Sequence, residues 1–204
     1  MKYLKMIGLA AVAAMAVVAV AGASSASADD LCKVNESPCS AANKYAIGTV
    51  LKGSSKEAVL TSGEFKVTCE STVEGKTTED LGAGKGLLGL IEKLTFSACK
   101  GSCTSATSIH TPYMVTAFAS SQTMNVFSDG SGKPGASLGG CLGFATCVFE
   151  TEGTEAILKV VGGNPAHIKA EAVKLKESSG ICPTSGTWTA DYTVSPTPLF
   201  LVND

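Results

Sequence analysis

The chain has 204 residues, with 16 lysines and no arginine against 18 aspartates and glutamates, two histidines and eight cysteines. A mildly acidic chain without guanidinium groups lacks the planar fork that grips phosphates and base edges, and its lysines are scattered among acids, so nucleic acid is excluded as an expected partner. Beyond the first 28 residues no apolar run approaches the roughly 20 residues that a membrane-spanning helix needs, so no transmembrane anchor is expected.

The N-terminal segment reads as a secretory signal peptide over residues 1–28. Lys2 and Lys5 precede an apolar run from Met6 to Val20, and Ala26-Ser27-Ala28 supplies the small-residue cleavage site. Asp29, Asp30 and Leu31 stand where a lipoprotein would need small residues before Cys32, so lipid attachment there is not expected. Removing 28 of the 204 residues leaves 176, and losing Lys2 and Lys5 leaves 14 lysines against 18 acids, a net charge of about −4. Residues 29–204 fit one domain, large enough to bury about 70% of its unfolded surface.

An exported chain meets an oxidising space. Cys32, Cys39, Cys69, Cys99, Cys103, Cys141, Cys147 and Cys182 therefore read as up to four disulfides. Short loops favour Cys32–Cys39, Cys99–Cys103 and Cys141–Cys147, with Cys69 and Cys182 left for each other; pairing across a sheet is the open alternative.

Residues 29–44 are polar and aperiodic, and read as a stapled N-terminal loop or short helix. Strands are expected over Tyr45–Leu51 and Ala58–Thr61, and the period of two is plainest from Phe65 to Glu74, where Phe65, Val67, Cys69, Ser71 and Val73 alternate with polar residues. Leu94–Ala98, Tyr113–Phe118, Met124–Phe127, Cys147–Glu152, Ala156–Val161, Trp188–Val194 and Leu199–Val202 continue the series between Gly, Ser and Pro turn signals. Trp188 and Tyr192 share one strand face and are expected to pack inward together. Asn164 to Gly180 stays open between two readings. Asn164-Pro165, helix formers and a closing glycine suit a helix. As a strand, Ile168 and Ala170 face inward, then Val173 and Leu175, which requires a bulge near Ala172. A repeated T-C-x-x-x-x-E-G pattern at Thr68–Gly75 and Thr146–Gly153 is a faint sign of duplication, explained as well by composition.

Chemical motifs are weak. Gly135-Ala136-Ser137-Leu138-Gly139 matches a nucleophile elbow, but it lies in a glycine-rich stretch that reads as a flexible hairpin connection, and His167 and Asp191 follow in the reverse of the usual order. Gly84-Lys85-Gly86-Leu87-Leu88-Gly89 matches a dinucleotide loop, yet Thr77–Gly82 does not read as a buried strand feeding it. His110 and His167 are too few for a zinc site, and Asp129-Gly130-Ser131-Gly132 reads as a tight turn and not a calcium loop. The acid pairs Glu70/Glu74 and Glu150/Glu152 lack an aromatic platform for sugar and read as solvated strand faces. No catalytic, cofactor or metal residue is assigned, and no cofactor is expected.

Val67-Thr68-Cys69-Glu70-Ser71, Leu94 to Cys99, Gly163-Asn164-Pro165, Cys182-Pro183-Thr184 with Trp188, and Tyr192-Thr193-Val194 before Pro196-Thr197-Pro198-Leu199 resemble a group of secreted, cysteine-containing β proteins from soil actinobacteria. The resemblance spans most of residues 29–204, implies no activity, and favours a strand after Asn164-Pro165. The expectation is an all-β protein, an antiparallel sandwich or barrel of about ten disulfide-stabilised strands, with one short helix as the open alternative. Its expected role is a secreted, extracellular or envelope-associated, non-catalytic binding or structural protein, its partner an extracellular protein or an envelope glycan. The alternatives are a secreted hydrolase assembled from distant residues and a loop-presenting inhibitor or toxin-like protein.

Overall fold

The computed structural model describes residues 28–82, 84–130, 132–179 and 182–203. All of the expected signal peptide except Ala28, and Ser131 of the expected Asp129–Gly132 turn, lie outside the described residues. Within them the chain is all strand and turn: β1 Asp29–Cys32, β2 Val50–Ser62, β3 Phe65–Asp80, β4 Leu87–Gly101, β5 Ser105–Ile109, β6 Tyr113–Phe118, β7 Thr123–Ser128, β8 Gly135–Cys141, β9 Ala145–Thr151, β10 Glu155–Val161, β11 Ala166–Glu177, β12 Ser185–Ser195 and β13 Phe200–Asn203. None of them contains a helix long and apolar enough to cross a membrane.

Eight strands close into an antiparallel barrel in the order β10-β7-β6-β4-β3-β2-β12-β11, with Lys159, Val160 and Val161 of β10 meeting Lys169, Ile168 and His167 of β11. Closure removes the open edges that an antiparallel sheet otherwise exposes. β11 has a second neighbour on the same edge: Leu175, Lys176 and Glu177 pair with Thr151, Glu150 and Phe149 of β9. From there β9, β8 and β5 form a lateral arm, and Ser108 of β5 donates to the Leu94 carbonyl of β4 at 2.8 Å. β4 pairs with β6 only over Leu87–Ile91, so the arm covers the rest of that edge. β1 and β13 form a separate two-stranded ribbon that ties the two ends of the domain together.

The alternation read from the sequence sets the core. Phe65, Val67, Cys69 and Ser71 of β3 point inward, and β12 buries Ala190, Tyr192 and Val194 while Thr189, Asp191 and Thr193 face out. Under the arm, Leu138 and Phe149 pack on Phe65 and Leu175; inside the barrel, Tyr113, Val115, Met124, Val126, Leu158 and Tyr192 form a second apolar layer, and Trp188 touches both.

Within the open segment, Ala166–Glu177 is strand β11, and the closing Gly180 lies outside the described residues. β11 shifts register between Ala170 and Val173, and Ala172 takes a left-handed φ of 53° with its amide donating to Thr189 Oγ1 at 3.3 Å. The bulge restores inward phase for Val173 and Leu175, and barrel pairing on both edges outweighs the local helix signals.

Three expectations of secondary structure are corrected. Asp29–Cys32 is a strand within the expected N-terminal loop, because pairing with β13 satisfies its backbone in spite of two aspartates. Tyr45–Leu51 is not a strand until Val50, where β2 begins and runs on through Ala58–Thr61. Gly135–Cys141 is strand β8 and not a flexible connection, since β5 and β9 pair with it on both sides. Thr77–Asp80 is the end of β3, with Thr78 and Glu79 exposed, so the strand before Gly84–Gly89 is not a buried one, and what leaves that loop is strand β4, which a dinucleotide site could not use.

The cysteines form Cys32–Cys39, Cys69–Cys99, Cys103–Cys141 and Cys147–Cys182. Only the first matches the short-loop expectation. The β8–β9 register sets Ala145 opposite Cys141 and Leu138 opposite Cys147, so the two cysteines are not cross-strand partners, and Cys141 bonds to Cys103. Cys69 finds Cys99 across the β3–β4 ladder, which leaves Cys103 and Cys182 for the two cysteines of the arm. The stapled loop after β1 is braced by Glu36, whose carboxylate accepts from the Ser40 amide, the Ser40 hydroxyl and Asn43 Nδ2 at 2.7–2.9 Å.

Candidate ligand cavity

An eight-stranded barrel leaves an interior just wide enough to be filled by side chains or to hold one small ligand. Here the filling is incomplete. A cavity of about 200 Å³ is lined by aliphatic and aromatic groups from most of the barrel strands and, on the side of the arm, by Ala106 of β5 and Ala136 and Leu138 of β8. Its origin is visible in the sequence: Ala58, Ala106, Ala136 and Ala156 occupy lining positions, and Gly53 and Gly89 present no side chain at all. A Cβ on Gly53 would stand 2.6 Å from Val73 Cγ1, so the bare backbone is what lets Val73 lie against it, whereas Tyr192 Cβ, at 3.4 Å, would be in ordinary contact.

β12 supplies the aromatic wall. Trp188 and Tyr192, four residues apart, meet edge-to-face with centroids 6.3 Å apart, as their shared strand face implied. The Tyr192 hydroxyl and Ser71 Oγ lie 2.9 Å apart, both buried, and burial pushes the phenol up to about 12 against the opposing effect of the Ser71 hydrogen bond. On β6, the Tyr113 hydroxyl donates to the Ile109 carbonyl at 2.5 Å with the Gly135 carbonyl 3.1 Å away, and burial raises this phenol too. Both phenols stay neutral and direct their polarity into the wall. Lys52, Lys76 and His167 also border the space, but their side chains pair with the exposed carboxylates of Glu74, Glu92 and Asp191, so the interior offers a ligand mainly shape and dispersion.

The candidate catalytic groups do not converge. His167 and Asp191 are adjacent on β11 and β12, with Nδ1 2.7 Å from Oδ1, and Lys169 Nζ lies 3.5 Å from Asp191 Oδ2. Ser137, however, is on β8 of the arm, in register with Val148 and Thr107, whereas His167 is in register with Val161 and Thr193. The second histidine, His110, approaches Glu150 at 3.0 Å. Among the described residues no hydroxyl is bonded to either imidazole. Of the acid pairs, Glu74 meets Lys52 at 3.5 Å on the outer face, while Glu152 falls in the turn after β9 and does not share a strand face with Glu150. The sulfurs of Cys103, Cys141 and Cys147 lie within 4.8 Å of one another, but each is bonded in a disulfide, which removes the thiolate a metal needs.

Fold and cavity together define a disulfide-clamped, closed antiparallel β-barrel with an apolar interior. Compared with protein families, curated proteins and solved structures, the chain shows no match. The cavity itself was not foreseen from the sequence; the small residues at inward positions were its only signal, and their meaning depends on which strands face one another.

Proposed function

We propose that this is an exported, non-catalytic binding protein whose barrel interior takes one small apolar ligand. The observation that carries this reading is the predominantly apolar cavity of about 200 Å³ bounded by the barrel strands. An apolar cavity of about 150 Å³ stays dry and accepts a benzene-sized molecule, so this one suits a ligand of that class or slightly larger. The four disulfides and the Lys2 to Ala28 leader support export into an oxidising space, with the actinobacterial secreted β proteins as the proposed kin.

Trp188 is the single tryptophan and lines the cavity, which makes it the natural reporter. Titration of the mature protein with benzene, toluene and naphthalene is expected to change its fluorescence saturably, with affinity depending on ligand size. Absence of a saturable change across the series would leave a purely structural role and defeat the binding assignment.

A further inference from the structure

Among the described residues the two most exposed large apolar side chains lie on one short turn. Between β8 and β9, Leu142 is 65% exposed and Phe144 89% exposed, with Gly143 between them. The turn is closed by the Phe144 amide donating to the Cys141 carbonyl at 3.1 Å, and its base is fixed by the Cys103–Cys141 disulfide and by the Leu142 amide donating to the Ser102 carbonyl at 3.0 Å. Leu142 holds a left-handed φ of 51°, a conformation that L side chains rarely adopt, so the backbone is committed to presenting this tip.

We propose that the Leu142-Gly143-Phe144 turn inserts into the interface of an anionic lipid bilayer. Area argues against a protein partner or a second copy. Fully covered, the two side chains offer on the order of 300 Å², whereas a stable interface takes about 800 Å² from each side. The exposed Ile47, Val50 and Leu81 cannot extend the patch, because the strand register places the start of β2 and the end of β3 at the opposite end of the barrel. A bilayer needs only a tip that enters it.

Charge argues in the same direction. Ser102, which holds Leu142, also donates its amide to the Lys66 carbonyl at 2.8 Å, and exposed Lys100 is two residues before it. Glu64 is the one exposed acid in the turns described at this end. Glu70 is exposed further along β3, and Lys66 and Lys100 are the cations that the chain places nearest the tip, where they suit anionic headgroups. Such contact is weak and reversible, as for a single short anchor.

Flotation of the mature protein with phosphatidylglycerol-containing vesicles tests this. Wild type is expected to float with them and not with pure phosphatidylcholine; L142S/F144S should lose at least tenfold in partitioning, K66Q/K100Q several-fold, and added salt should weaken binding. The serine variants should keep their disulfides, their circular dichroism and their response to toluene. No partitioning of wild type onto either vesicle, or equal partitioning of L142S/F144S, would overturn the proposal. So would Phe144-dependent capture by an envelope protein without lipid binding.

Discussion

Asp29 is 1% exposed, and neither of its carboxylate oxygens makes a hydrogen bond. Burial raises its pKa; the nearby Ala119 amide offsets part of the effect without forming a well-aligned bond, and the charge of Asp80 adds to it. A raised carboxyl contributes its stability below the unfolded value of about 4 and loses it as the pH climbs through the folded value. Asp29→Asn is thus expected to stabilise the protein at pH 7 by on the order of 1 kcal/mol and to have little effect near pH 3, as measured by urea unfolding at the two pH values. A second residue-scale prediction concerns the void. Ala156→Val should project its methyl groups into the cavity, leave stability unchanged or raise it by up to about 1 kcal/mol, and weaken binding of apolar ligands; a loss above about 1 kcal/mol would mean that the site is already full.

At the scale of the element, β11 shows how much a sequence can carry. Of the two readings open for this segment, the strand requires a bulge near Ala172 to switch inward phase from Ile168 and Ala170 to Val173 and Leu175, and the structure has strand and bulge there. Because Ala172 is exposed and left-handed, Ala172→Gly is expected to stabilise by roughly 1 kcal/mol and Ala172→Val to destabilise by a similar amount, read as shifts in unfolding midpoint. β8 shows the opposite case. Gly135, Gly139 and Gly140 give it the composition of a loop, and it is a strand because β5 and β9 pair with both its edges. β1 buries Asp29 and Asp30 for the same reason, with Lys44 paired to Asp30. Local alternation was legible; elements specified by their neighbours were not.

At the scale of the whole molecule, three disulfides fasten the region where barrel and arm meet. Cys69–Cys99 spans β3 and β4, Cys103–Cys141 ties the β4–β5 connection to β8, and Cys147–Cys182 ties β9 to the segment before β12. Replacing Cys147 and Cys182 together by alanine is expected to cost about 2–4 kcal/mol in denaturant unfolding. The pairing could not be read from spacing, since it depends on strand register. The cavity depends on closure in the same way, for Ala58 and Ala156 become neighbours of one space only when β2 and β10 belong to one barrel.

The most direct test of the barrel as a binding site is an NMR titration of the mature protein with toluene, following methyl and indole resonances. The account predicts saturable shifts at Ala58, Ala156, Met124 and Trp188, inside the barrel, with Leu142 unmoved. No saturable shift at these interior groups, or shifts confined to the exposed Leu142–Phe144 turn, would contradict it.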